Sequence, residues 1–169
     1  ANYLIEKKYT SKGKIIFLGG SAGGLLGGAV ANMAPELFLS MVLNVPYVNV
    51  LDTALNEDLP LSANEFKEIG RPKKNKEHFN YIKSYSPYEN ISNKDYPSMF
   101  ITTSLFDPRV FYSEPVKYTA KLRDMKTDKN LLLLKCETAG HGGKTGRDNS
   151  ISELAEEFAF ILKSADIKK

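Results

Sequence analysis

The chain has 169 residues, of which 42% are hydrophobic and 25% charged, a balance that fits one globular domain with a substantial core. Its net charge of +3 is small and its lysines are scattered, so charge gives no support to nucleic-acid binding. The single cysteine, Cys136, excludes an internal disulfide framework, and together with the lack of a recognisable N-terminal signal it favours a cytoplasmic location.

Apolar runs alternate with helical patterns along the chain. After a short helical stretch at 2–8, buried strands are predicted at 14–18, 39–45, 98–105 and 131–136. Helices are predicted at 22–33, 62–69, 76–84, 113–125 and 151–163. Residues 46–60 are predicted to be irregular. Strands that alternate with helices indicate α/β architecture, with a mostly parallel sheet and flanking helices.

Two of these helices begin with capping signals. Ser113 precedes Glu114 and Pro115, which predicts a cap, an acid near the positive end of the helix dipole and a proline in the first turn. Ser150 and Glu153 have the spacing of a capping box at the start of the last helix.

The first strand stops at Gly-Gly-Ser-Ala-Gly-Gly, in which Gly19, Ser21 and Gly23 form the Gly-x-Ser-x-Gly signature. A strand that turns sharply into a helix needs positions without a Cβ, and the serine at the apex takes a strained backbone conformation. The turn would lift the hydroxyl out of the sheet to the helix N-terminus, where free amides favour a developing oxyanion.

Other interpretations of this stretch are weaker. A Walker loop would end in Gly-Lys-Ser/Thr, and a dinucleotide fingerprint would have Gly-x-Gly-x-x-Gly; neither is present. Residues 17–34 carry no charge and reach membrane-spanning length, and Gly24 and Gly28 have small-xxx-small spacing, but the glycine content is high for a span. A purely structural glycine-rich turn is the remaining alternative.

A serine nucleophile needs a base, and the base needs a partner that orients it. Of the two histidines, His78 lies in a lysine-rich polar region and is predicted to be a surface residue, whereas His141 lies between glycines after an apolar strand. Asp107 ends the third strand, so that Ser21, Asp107 and His141 follow the chain order of α/β hydrolases. Asp107 could also be only a turn residue before Pro108.

Several blocks of the sequence resemble the prolyl oligopeptidase family of serine peptidases, and within it the oligopeptidase B subfamily. The resemblance covers nearly the whole chain. The blocks are Gly-Gly-Ser-Ala-Gly-Gly at 19–24, Leu-Ser-Ala-Asn-Glu-Phe-Lys-Glu-Ile-Gly at 61–70, Tyr-Ser-Pro-Tyr-Glu-Asn at 85–90, Asp-Pro-Arg-Val at 107–110, Tyr-Ser-Glu-Pro at 112–115 and Gly-His-Gly-Gly-Lys at 140–144.

This resemblance implies that the chain forms part of an α/β-hydrolase fold. It also implies an enzyme that cleaves short peptides after Arg or Lys and needs no cofactor. It implies Ser21 as nucleophile, Asp107 as orienting acid, His141 as base and the Ala22 amide as oxyanion donor.

The resemblance also implies two substrate-binding residues. Arg109 matches an arginine that holds the substrate backbone, although it could instead form a surface ion pair. Glu65 matches the first carboxylate of the pocket for a basic P1 side chain, where a carboxylate can pair with a guanidinium in bidentate fashion. Ser62 and Glu65 also have capping-box spacing, so Glu65 could simply cap a helix. Lys67 departs from the family pattern, which has a second carboxylate at that position.

The family's enzymes are longer, with a β-propeller and further strands of the hydrolase sheet. The resemblance therefore implies that residues 1–169 form the C-terminal portion of a peptidase catalytic domain. The first strand would then present an unpaired apolar edge that favours self-association. An esterase that uses the same three residues, and a non-catalytic remnant, are the functional alternatives.

Overall fold

The computed structural model describes residues 1–59 and 62–167, without the side chains of residues 62–64. Within it, four parallel strands form one sheet in the order β1-β2-β3-β4. The strands are β1 (Ile15–Gly20), β2 (Phe38–Asn44), β3 (Ser98–Ser104) and β4 (Leu132–Glu137). The predicted parallel α/β architecture is confirmed, with strand ends shifted by one or two residues.

Seven α-helices and one short 3-10 helix (Pro35–Leu37) connect and cover these strands in the described part of the chain. They are α1 (Asn2–Glu6), α2 (Ala22–Met33), α3 (Val50–Leu55), α4 (Ser62–Ile69), α5 (Lys76–Tyr85), α6 (Ser113–Met125) and α7 (Arg147–Ser164).

The sheet lies between two helical layers because its side chains alternate between faces. Met41 and Leu43 of β2 point to one face, where they join a core cluster with residues of α2 and α6. Val42 and Phe100 point to the other face and pack against Phe160 of α7. Parallel strands with helices on both faces bring all four strand ends to one edge of the sheet, which is the edge where sites form.

Helix α2 approaches its neighbours closely through glycines. A Cβ at Gly24 would lie 2.4 Å from a side-chain atom of Pro46, and a Cβ at Gly28 would lie 2.8 Å from Pro87. The Gly24–Gly28 pair is therefore used in packing within this chain. The uncharged stretch 17–34 is divided between β1 and α2, and no helix in the described part of the chain has the length and hydrophobicity needed to cross a membrane.

The prediction that residues 46–60 are irregular is wrong, because α3 lies within them. Val50, Leu51 and Ala54 of this helix are buried in a second core cluster with Ile82 of α5. A helix of six residues has little stability of its own, so this one depends on packing, which local sequence signals do not report.

The serine caps predicted at described residues are wrong. Helix α6 begins at Ser113 itself without a side-chain cap, whereas the acid and the proline predicted in its first turn are present, as the buried Glu114 and Pro115. Helix α7 begins four residues earlier than predicted, at Arg147, after Gly146 with a φ of 101°. Glu153 is consequently too far into the helix to cap it, and its carboxylate is used elsewhere, in the loop that carries His141.

The first strand lies at the edge of the sheet. Among the described residues β1 pairs with β2 alone, and Leu18 in this strand is 52% exposed. Self-association through this edge remains a prediction.

Candidate active site

The turn between β1 and α2 holds Ser21 in a strained conformation, with φ 53° and ψ −119°. Its N–H donates to the Asn44 carbonyl at 2.9 Å, and its own carbonyl accepts from Tyr47 N–H at 3.0 Å. Positive φ is costly for a residue with a side chain, and it persists here because both neighbouring peptide groups are bonded. The strained serine predicted from the sequence is confirmed.

The glycines around Ser21 are not equally demanding. A Cβ at Gly19 would lie 2.6 Å from the Gly23 carbonyl oxygen, so that no side chain fits there. A Cβ at Gly23 would meet nothing within 4 Å. The prediction that the turn needs positions without a Cβ is therefore confirmed at Gly19, whereas among the described residues nothing crowds a Cβ at Gly23. Ala22 is the first residue of α2, where a backbone N–H has no partner inside the helix.

Asp107 follows β3 and is 3% exposed. Its Oδ1 accepts hydrogen bonds from the N–H groups of Arg109 (2.8 Å) and Val110 (3.0 Å), which is a turn-forming role. Its Oδ2 lies 2.7 Å from Nδ1 of His141. One oxygen of Asp107 therefore builds the turn and the other faces the histidine, and the orienting role stays a prediction. With Nδ1 as the donor, Nε2 of His141 is free to accept a proton.

Ser21 and His141 line the same cavity, whose volume is about 330 Å³. The cavity lies at the carboxyl ends of the strands, on the side of the sheet that faces α7. Its wall is rich in charged side chains, which are Lys135, Glu137, Glu153, Glu156 and Glu157. Neither Glu65 nor Arg109 is among the described residues that line it.

The loop that carries His141 is bonded to α7. Its Gly140 and Gly143 form a local bridge, and the Lys144 N–H donates to Oε1 of Glu153 at 3.1 Å. A Cβ at Gly143, whose φ is 77°, would collide with the Glu153 carboxylate at 2.8 Å. The carboxylate predicted to cap a helix therefore holds the histidine loop instead.

The predicted substrate-binding residues lie apart from this cavity. Glu65 on α4 is half-buried, and its Oε2 accepts a hydrogen bond from the Tyr47 hydroxyl at 2.9 Å. Whether Ser62 caps α4 falls outside the described side chains. Arg109 is exposed, two residues after Asp107.

The second histidine, His78, is exposed, as predicted. Its Nδ1 accepts a hydrogen bond from the Arg71 N–H at 3.0 Å.

Two buried polar residues, Tyr47 and Glu114, were given no functional role in the sequence analysis. Tyr47 follows β2, and burial together with Glu65 raises the pKa of its hydroxyl well above the ordinary value. Glu114 accepts hydrogen bonds from the Asn49 N–H (3.0 Å) and the Thr53 hydroxyl (2.8 Å), and burial raises its pKa to about 7. The signal available for Tyr47 was its position just after a strand, at the edge where sites form.

No group of three His, Cys, Asp or Glu side chains in residues 1–59 and 62–167 is arranged to hold a metal ion.

The fold, with a strained serine between the first strand and its helix, is that of an α/β hydrolase. The chain belongs to the prolyl oligopeptidase family, whose sequence model matches residues 1–168. It is 52% identical over 169 residues to Protease 2 of Moraxella lacunata, and 47% identical over 162 residues to dipeptidyl aminopeptidase BI of Pseudoxanthomonas mexicana. These alignments cover 99% and 95% of this chain.

Solved structures lead to the same family. Oligopeptidase B from Trypanosoma brucei, with covalently bound antipain, superposes with a TM-score of 0.95 at 40% identity over 99% of this chain. The chain spans only part of these relatives, namely 24% of Protease 2, 22% of the aminopeptidase and 24% of the T. brucei chain.

Proposed function

We propose that the chain carries the catalytic residues of a serine peptidase that hydrolyses short peptides after Arg or Lys. The observation that supports this most is the 2.7 Å contact between Oδ2 of Asp107 and Nδ1 of His141. His141 and the strained Ser21 line the same cavity. A buried carboxylate on Nδ1 orients the imidazole and stabilises its cation, which is what a serine nucleophile requires of its base.

The reaction follows from these roles. Nε2 of His141 takes the proton of the Ser21 hydroxyl as Oγ attacks the scissile carbonyl. The Ala22 N–H donates to the developing oxyanion, and one such donor typically contributes about 10²–10³ in rate. His141 then gives its proton to the leaving amine, which leaves an acyl group on Ser21. Water, activated by the same histidine, hydrolyses the acyl-enzyme.

Substrate choice is assigned to two residues. Glu65 pairs with the basic P1 side chain, and the guanidinium of Arg109, which is exposed, binds the substrate backbone. Lys67 is exposed on α4, at the position where the family has its second carboxylate. Its charge weakens the preference for Arg or Lys without removing the carboxylate of Glu65.

The test is labelling with a fluorophosphonate, which phosphonylates activated serines, followed by mass mapping. We expect one adduct on Ser21 that disappears in Ser21→Ala, and release of products from peptides cut after Arg or Lys. A folded sample that is not labelled, or that is still labelled after Ser21→Ala, would contradict the proposal. Turnover of esters without any peptide cleavage would favour the esterase alternative.

A second candidate rests on the relative named a dipeptidyl aminopeptidase. The same catalytic residues would then remove dipeptides from a free N-terminus. Peptides with free and acetylated N-termini distinguish the two activities, because only an endopeptidase cleaves both.

A further inference from the structure

Tyr47 connects the nucleophile to the carboxylate assigned to substrate choice. Its backbone N–H donates to the Ser21 carbonyl at 3.0 Å, and its hydroxyl donates to Oε2 of Glu65 at 2.9 Å. One residue thus contacts the main chain of the serine at one end and the Glu65 side chain at the other. This pairing is independent of the cavity that Ser21 shares with His141.

The ring of Tyr47 is firmly held. It is 8% exposed and belongs to the core cluster that includes Val50, Ile82 and Val110. A tyrosine hydroxyl is protonated at neutral pH, and burial together with the nearby carboxylates of Glu65 and Glu114 raises its pKa further above the ordinary value. The hydroxyl therefore acts as a permanent donor whose position is set by the core.

Glu65, in contrast, is half-buried on the short helix α4, and a glutamate side chain has several rotatable bonds. A hydrogen bond to one carboxylate oxygen selects one of its rotamers and leaves the other oxygen for a ligand cation. Tyr47 thus joins the Ser21 carbonyl to this carboxylate through one hydrogen bond at its backbone N–H and one at its hydroxyl. An extended arginine or lysine side chain is comparable in length to a tyrosine side chain.

We propose that Tyr47 is a specificity-positioning residue: it holds Glu65 at the distance from Ser21 that a basic P1 side chain spans. This inference rests on the proposed function. The role matters more here because Lys67 replaces the family's second carboxylate, so that the orientation of Glu65 carries more of the discrimination.

The experiment compares two covalent probes on the same chain, a diphenyl phosphonate with a 4-amidinophenyl side chain and its uncharged phenyl counterpart. The readout is the ratio of their rate constants for phosphonylation of Ser21. An unfolded or damaged fraction lowers both rates equally and cancels in this ratio. A structural disturbance near Ser21 also leaves the ratio unchanged, whereas misplacement of Glu65 does not.

We expect Tyr47→Phe to lower the ratio about tenfold, because a hydrogen bond to a charged group is lost. Glu65→Gln should lower it at least as far, and the double variant no further, since the two residues act as a unit. Glu65→Asp, which keeps the charge but withdraws it from the Tyr47 hydroxyl, should also lower the ratio. Tyr81→Phe is the matched control, because Tyr81 is 67% exposed on α5, and it should keep the wild-type ratio.

A wild-type ratio in Tyr47→Phe, with a lowered ratio in Glu65→Gln, would overturn the positioning role and leave the proposed function intact. Wild-type ratios in both variants would show that Glu65 does not bind the P1 cation, which overturns the inference but not the triad. Absence of phosphonylation of Ser21 by either probe would contradict the proposed function itself.

Discussion

Nδ1 of His141 lies 2.7 Å from Oδ2 of Asp107. The other oxygen of this carboxylate accepts hydrogen bonds from the backbone N–H groups of Arg109 and Val110. The backbone bonds fix the orientation of the carboxylate, and the histidine that it contacts lies 34 residues later in the chain. A base oriented in this way keeps one tautomer, and its second nitrogen stays available to the serine.

The first prediction concerns Asp107→Asn. The amide keeps an oxygen for the turn but presents an N–H to Nδ1, which favours the wrong tautomer of His141. We expect the rate of fluorophosphonate labelling at Ser21 to fall by about 10³–10⁴. The urea midpoint serves as the folding control. A labelling rate within tenfold of the wild type would show that Asp107 does not orient the base.

The second prediction separates two glycines of the Ser21 signature. Gly19→Ala places a Cβ against the Gly23 carbonyl, so we expect a loss of about 1–3 kcal/mol in the free energy of unfolding. Gly23→Ala, in open space within a helix, should be neutral or stabilising by about 0.5–1 kcal/mol. Urea denaturation of both variants measures the difference, and equal losses would contradict the assigned geometry.

The third prediction is a dependence of stability on pH that originates at Glu114. The pKa of this carboxyl is raised to about 7 in the folded chain, from 4.5 when unperturbed. Between these values the folded state holds a proton that the unfolded state releases. Stability from this residue is therefore fully present below about pH 4.5 and is lost as the pH rises through 7.

Glu114→Gln removes this titration and retains an acceptor for the Asn49 N–H. From pH 4.5 to 8, we expect the wild type to lose on the order of 3 kcal/mol of unfolding free energy relative to the variant. Urea unfolding at several pH values gives the two curves, and other titrating groups cancel in their difference. Parallel curves would mean that Glu114 is not held protonated by burial.

The fourth prediction tests the support of the histidine loop by α7. Glu153→Ala removes the acceptor of the Lys144 N–H, so we expect faster amide exchange in the loop and about tenfold slower labelling of Ser21. Asp148→Asn, an exposed charge on the same helix, is the matched control. Unchanged exchange at Lys144 in Glu153→Ala would show that this contact does not hold the loop.

Local patterns were sufficient for much of this molecule. The periodicity of the apolar runs predicted the four strands and most helices, because burial of one face repeats with the geometry of each element. The Ser21 turn was readable because a glycine-flanked serine after a buried strand has few other structural solutions. The order of Ser21, Asp107 and His141 in the chain then indicated the candidate nucleophile, acid and base.

Other features depended on contacts between distant parts of the chain. The burial of α3, the early start of α7 and the internal use of Glu114 and Glu153 all depend on partners that no local window contains. The Tyr47–Glu65 hydrogen bond joins a strand end to a separate helix.

The sequence by itself therefore determined the class of fold, the strained serine and the candidate acid and base. Only the tertiary structure decided which oxygen of Asp107 faces His141, what Glu153 holds and how Glu65 is anchored. The physical reason is that local conformation follows from the neighbours of a residue in the chain. The partner of a buried polar group, in contrast, is decided by whichever donor or acceptor packing brings within hydrogen-bond distance.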